Sequence, residues 1–465
     1  MTQQVSSPPE KTEQPPFSQP LVPTQEAGFS RPVIVIWLVV IGMLLLLFTG
    51  QMVRYLPQLV NSPLKTIAPA PHVAGIVPAT GSDVFQIPGY SSKPSVQLPV
   101  GHYVIYEMQN TISVISTDTD QSRVLTTPGY IYNRSVSPIL TPDGQILYSG
   151  NGLWLAGLSG GTPLQIATLP ANQVITSLAL SSDGTTVAWS TQPLDGNGEI
   201  TIYAGPLKSS VLVYQHSASD CPCFRVFSFF HTTSKSGNST LLLADDRGDH
   251  RAVQYGLWSL NLSQKPLSNP HQLLSSAQTA GPQMLAPDGR TLLYSSYEGF
   301  VPAPTDQSAP TDTTSLTYAN SLNIATLSGN TPTMSATQIV LPAQNELSNS
   351  EAYHWETTPT FAPDGHTLLY IEFSSDAYAP YNRHAALYRV QVSGSGAHLT
   401  VGTPQLLVTT AAHFIELGAW LNQHIITFYA DGSLYAFDTQ TNGYKQLINT
   451  SFYMHIVAVG SQGSH

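Results

Sequence analysis

The stretch APDGHTLLYIE (residues 362–372), followed downstream by ALYRVQV (386–392), decides the fold. It reads as a tight turn, a short apolar strand and then a second β-branched and aromatic strand. Pro presets φ for the turn, Asp bonds back to nearby backbone amides, and Gly accepts positive φ. The second of these strands recurs along the chain as TISVIST from Thr111, GLWLAGL from Gly152, ITIYAGPL from Ile200, GLWSLNL from Gly256, SLNIATL from Ser321 and SLYAFDT from Ser433. Self-similarity at a roughly fixed spacing is the signature of a repeat architecture.

Each repeat is written as four strands. A short apolar run such as ITSLAL (175–180) or PTFA (359–362) comes first. The turn and a run such as ILYSG, TVAWS or TLLYSS follow, then the strand quoted above, then a short polar run such as PLQIATL or YKQLI. YVIYE (103–107), TLLLAD (240–245) and IITFYA (425–430) occupy the second slot without the PDG turn. Strand runs bounded by Gly, Pro and Asp are all-β signals, and four strands per unit predict the blades of a β-propeller. We expect seven four-stranded blades over residues 100–460. The first unit lacks a convincing first strand, and FYMHIVAV (452–459) is left over at the other end. The leftover strand is expected to complete the first blade and close the ring.

Four turns carry the pattern: Asp143-Gly144, Asp183-Gly184, Asp288-Gly289 and Asp364-Gly365, with Ser182 standing where the others have Pro. The pattern [ST/A]-P-D-G-x-x-[LI]-x-[YFW] resembles the "PD" repeats of TolB-type propellers. It is similar to a WD-repeat blade without the Gly-His and Trp-Asp dipeptides. The resemblance implies a propeller fold and implies that these Asp residues hold turns. Three of the seven units depart from the pattern, and the resemblance implies no activity.

Upstream of the repeats the chain changes character. Residues 32–53, between Arg31 and Arg54, carry no charge and include VIVIWLVVIGMLLLLF. About 20 residues at about 1.5 Å rise cross the roughly 30 Å hydrocarbon core of a bilayer, so a single transmembrane helix is expected here. A cleaved signal peptide fits less well, because a tail of residues 1–31 precedes the span and no small-residue cleavage site follows it. That tail, rich in Pro, Gln and Ser, is expected to be disordered. Residues 54–99, with Pro57, Pro63, Pro69, Pro71, Pro78, Pro88, Pro94 and Pro99, are expected to form a semi-rigid linker. The expected topology places the amino terminus in the cytoplasm and the propeller outside it.

The composition narrows the partners. The formal net charge of −11, with only 10% charged residues, supplies no basic stripe, so nucleic-acid binding is not expected. Cys221 and Cys223, the only cysteines, form a C-x-C pair that reads as two small thiols, a disulfide candidate, or part of a metal or redox site. The ADDRGDH cluster (244–250) offers Asp245, Asp246 and Asp249 as weak calcium-ligand candidates, without EF-hand spacing. A solvated hairpin tip is the simpler reading of that cluster.

No G-x-S-x-G elbow, H-E-x-x-H, P-loop or dinucleotide fingerprint occurs. No catalytic residue is assigned and no cofactor is expected. Two long insertions, 298–318 and 374–385, break the repeat and are placed in the fourth and fifth blades. Loops on a rigid scaffold tend to carry binding. The second insertion supplies Tyr378, Tyr381, Asn382, Arg383 and His384, and His354, Trp355 and Glu356 fall on an inter-blade loop. These eight residues are the ligand-binding candidates. The expected function is a membrane-anchored binding or scaffold propeller for a protein, peptide or cell-envelope glycan. The alternative is an exported propeller enzyme, a hydrolase or lyase acting on glycans.

Overall fold

The computed structural model describes residues 87–461, apart from 88, 92–95, 134–135, 197, 218–221, 231–239, 246–254, 264–268, 277–278, 280–282, 301–317, 330, 336, 342–351, 377–378, 395–397, 413–414 and 451. The tail, the apolar span 32–53 and most of the Pro-rich linker lie outside the described residues. Among the described residues no helix is long and apolar enough to cross a membrane.

The described residues form thirty strands in seven antiparallel sheets, so the chain is an all-β propeller of seven blades. In a typical blade the four strands run in chain order. The second blade, for example, orders Ile139–Leu140, Gln145–Ser149, Gly152–Gly157 and Leu164–Thr168 from inside to outside. The first blade departs from chain order. Its strands His102–Met108, Thr111–Ser116 and Ser122–Val124 take the second, third and fourth places, and the last strand of the chain, Met454–Ser461, takes the first. The ring closes by an antiparallel pairing that runs from His102↔Ser461 to Met108↔Met454.

Seven clusters of buried apolar side chains hold the ring, each between two neighbouring blades. Val104 and Tyr106 face the seventh blade with Leu434 and Ile448, while Ile105 faces the second blade with Ile146 and Tyr148. In the sixth blade, Leu369 and Ile371 pack toward the seventh while Leu368 and Tyr370 pack toward the fifth. Both faces of a blade are therefore covered. This is why second strands such as Thr240–Asp245 are buried at every position and read as continuous apolar runs rather than alternating ones.

The PDG turns join the first and second strands at one end of the ring. Gly144, Gly184, Gly289 and Gly365 have φ of 74°, 72°, 65° and 68°, the left-handed region that glycine enters without a steric cost. Asp364 accepts from the amides of His366 and Thr367 at 2.7 and 2.8 Å and from the Thr367 hydroxyl at 2.9 Å. Asp288 repeats the arrangement with Arg290 and Thr291.

The insertions precede the fifth and sixth of the seven repeated strands, so they fall in the fifth and sixth blades, not the fourth and fifth. They are also less loop-like than their composition implies. In the sixth blade Thr367–Asp376 and Ala379–Ser393 pair as far as Asp376↔Ala379, an extended hairpin. In the fifth, Thr291–Phe300 and Tyr318–Ser328 pair as far as Phe300↔Tyr318. Backbone pairing simply continues past the usual blade height wherever both chains remain extended.

The last part of the expected linker lies on the ring. Ile87 is 1% exposed within the cluster between the sixth and seventh blades, and its amide donates to the Tyr444 hydroxyl at 3.2 Å. Tyr90 donates to the Asn442 carbonyl at 2.9 Å. Further along, Val96 and Leu98 pack against the cluster between the seventh and first blades. Ile87 and Tyr90 thus contact one interface of the seventh blade, and Val96 and Leu98 the other.

Candidate functional site

First strands begin, and second strands end, at the end of the ring opposite the PDG turns. The second-to-third connections of the fourth, fifth and sixth blades are made there, and so are the passages from one blade to the next. The longest of these connections, 246–254, 301–317 and 342–351, lie outside the described residues, but the strands they join all end on this side.

At that end, three consecutive blades bring one histidine, two carboxyl groups and a serine hydroxyl together. His455 is the second residue of the ring-closing strand and is 17% exposed. Its Nδ1 lies 2.7 Å from Oε1 of Glu416, the second residue of the seventh blade's first strand, Ile415–Trp420. Its Nε2 lies 3.1 Å from the hydroxyl of Ser137, just before the first strand of the second blade. Glu107, near the end of the first blade's second strand, is fully buried and pairs with His455 in the closing register. One of its oxygens lies 3.9 Å from Nε2, and the other accepts from the Tyr130 hydroxyl. Tyr453 donates to the second oxygen of Glu416 at 2.5 Å. Its ring meets those of Tyr132 and Tyr429 edge-on, at centroid distances of 6.4 and 5.3 Å.

The chemistry of the donors fixes the imidazole. An ionised carboxylate only accepts, so Nδ1 carries the proton shared with Glu416. In the neutral ring Nε2 is then an acceptor, and the Ser137 hydroxyl donates to it. The site therefore holds a base with one nitrogen anchored and the other turned toward a hydroxyl. Burial pushes the neighbouring Tyr429 hydroxyl above the ordinary tyrosine range, with the charges of Asp431 and Glu416 adding to the effect, so it stays protonated at neutral pH. Among the described residues no group of three or more His, Cys, Asp or Glu side chains is placed to hold a metal ion.

The residues singled out in the sequence fall elsewhere at the same end. His354, Trp355 and Glu356 lie inside the sixth blade's first strand, Ala352–Phe361, rather than on a loop before it. The register sets His354 beside Ser374 and Ser374 beside His384, so the two histidines share a level on the extended hairpin. Tyr381, Asn382 and Arg383 lie further along the same strand, and Tyr378 lies outside the described residues. Asp245 is buried at the end of its strand and accepts from the Cys223 amide at 2.9 Å. Asp246 and Asp249 lie outside the described residues. Cys223 is disulfide-bonded, and Cys221, the chain's other cysteine, lies outside the described residues.

Sequence reading missed Ser137, His455, Glu416 and Glu107. Ser137 and His455 are 318 residues apart and Glu416 and His455 are 39 apart, so no local motif joins them. The signal that was present is the alignment of MHIVAV against YVIYE, which sets His455 opposite Glu107 once the ring is closed.

No model of a known protein family matches the chain, and no curated protein matches it. Solved structures do resemble it. A protein described as a TolB from Agrobacterium tumefaciens shares 17% identity, covering 64% of this chain and 90% of that one, with a TM-score of 0.36. The periplasmic gluconolactonase PpgL of Pseudomonas aeruginosa shares 12%, covering 77% and 100%, with a TM-score of 0.42. An oligogalacturonate lyase from Vibrio parahaemolyticus shares 9%, covering 77% and 87%, with a TM-score of 0.32. TolB-like propellers are among the structural neighbours of this chain.

Proposed function

We propose that this chain is a membrane-tethered, extracytoplasmic propeller that binds a peptide, protein or glycan of the cell envelope at the end of the ring opposite the PDG turns. The observation that carries the reading is the asymmetry of the ring. At one end, four blades turn through compact Asp-Gly turns whose carboxylates bond neighbouring amides or hydroxyls. The other gathers the extended hairpins of the fifth and sixth blades, the long connections and the Ser137–His455–Glu416 cluster. Binding residues concentrate on connections held by a rigid scaffold, and extended hairpins offer backbone for peptide contact. The tether rests on the uncharged span 32–53 of the sequence.

The test uses the purified full chain in detergent, titrated calorimetrically with defined envelope glycan fragments and peptides. Micromolar binding is expected, weakened about tenfold or more when residues 377–384 are replaced by a two-residue turn. Heat changes indistinguishable from buffer for every ligand class would overturn the reading. Protease added to intact cells tests the topology. Digestion of the propeller is expected, and full protection would place it on the other side of the membrane.

A further inference from the structure

We propose that Ser137, His455 and Glu416 form a serine-hydrolase triad that cleaves an uncharged carboxylic ester. The geometry supplies a nucleophile, a base and a group that orients the base. The hydroxyl-to-Nε2 distance of 3.1 Å and the Nδ1-to-carboxylate distance of 2.7 Å both lie within reach for a nucleophile, a base and the group that orients the base. The Tyr453 hydroxyl fixes the Glu416 carboxylate from its other oxygen. Ser137 and His455 are partly rather than fully buried, so a substrate can reach the hydroxyl. Triads recur on unrelated folds and in any chain order, and are recognised by roles and distances. Here the order is Ser137, Glu416, His455, one residue from each of three consecutive blades.

The reaction balances with water as the only co-reactant. The Ser137 oxygen attacks the ester carbonyl while its proton passes to Nε2 of His455. The carbon–oxygen bond to the leaving alcohol breaks, and Nε2 delivers the proton to that oxygen. Water then attacks the acyl-serine, giving its proton to Nε2. The serine oxygen leaves and takes that proton back as the carboxylic acid departs. Glu416 stays ionised and acts as a positioning residue that holds the ring and stabilises the transient imidazolium. Glu107 places a carboxyl oxygen 3.9 Å from the same nitrogen. The ionised Glu416 beside the imidazole disfavours an anionic acyl group, which is why the substrate class is an uncharged ester.

The proposal rests on the reading that this end of the ring takes the ligand, and the two are separable by experiment. The full chain in detergent is treated with a fluorophosphonate probe and digested for mass spectrometry. p-Nitrophenyl butyrate hydrolysis is followed alongside, with the calorimetric titrations repeated on the same sample. Phosphonylation of Ser137 is expected, with loss of labelling and a roughly thousandfold fall in hydrolysis in Ser137→Ala and His455→Gln. Glu416→Gln is expected to lower kcat by about tenfold or more with KM unchanged, which loss of structure would not do. An unlabelled Ser137 in parent protein that still binds its envelope ligand would overturn the triad and leave the binding reading standing. Labelling of Ser137 without any envelope ligand would do the reverse.

Discussion

Glu107 and His455 face each other across the antiparallel pair that closes the ring, one on the second strand of the first blade and the other on the last strand of the chain. Closure and the candidate site are therefore one structure. Glu107 is fully buried, and a buried charge is tolerated only where its partners are in place. One oxygen takes the Tyr130 hydroxyl, and the other faces the imidazole. Glu107→Ala is expected to destabilise the fold by about 3 kcal/mol, since it leaves the Tyr130 hydroxyl buried without its acceptor and opens a cavity. Glu107→Gln keeps an acceptor for Tyr130 and is expected to cost less than half as much. Urea midpoints of the two variants check this, and equal losses would mean that the carboxylate has no specific role in the closure.

Gly418 and Ile456 set how closely the seventh blade approaches the closing strand. A Cβ at position 418 would sit 2.4 Å from the Ile456 Cδ1 and 2.7 Å from its Cβ. The glycine is required here for the close approach of two first strands. Gly418→Ala is expected to destabilise the protein by about 2 kcal/mol through overpacking. Chemical denaturation measures it, and an unchanged midpoint would show that the first strands are not packed this tightly.

How much of this was legible in the sequence depends on the range of the interaction. The PDG turns are local. Asp364 and Gly365 act within three residues, so the four turns and the strands beside them could be read directly. Closure was legible too, because an unpaired strand at one end and a missing one at the other have a single solution. The cluster was not, since Ser137, Glu416 and His455 meet only after the ring has closed. His354 and His384 stand out in the sequence by composition alone. Their placement on one level of an extended hairpin depends on a register that no short motif encodes. The docking of the expected linker's last residues was not legible for a similar reason, as nothing local in IPGYSS announces that Ile87 fills a gap between two blades far along the chain.

Ile87 gives a direct test of that contact. It is buried among Leu369, Ile415 and Tyr444, from the sixth and seventh blades. Ile87→Ala is expected to cost about 3 kcal/mol. Deletion of residues 1–86 leaves Ile87 in place and is expected to leave the unfolding midpoint nearly unchanged. A midpoint unmoved by Ile87→Ala would show that the segment does not dock in solution.

The turn carboxylates predict a pH dependence whose sign follows from Asp364. Partial burial opposes its ionisation, but the amides of His366 and Thr367, the Thr367 hydroxyl and the charge of His366 outweigh it and hold the carboxyl below its ordinary value of 3.8. A group whose pKa is depressed by folding contributes stability above its unfolded value and loses it as pH falls through the folded one. Asp364→Asn should therefore be less stable than the parent at neutral pH, by about 1 kcal/mol given the exposure of the turn. The gap should begin to close as pH drops below 3.8. Thermal melts of both proteins between neutral pH and the acid limit measure it. A gap that stays constant through the acid range would assign the loss to altered turn geometry rather than to the ionised carboxylate.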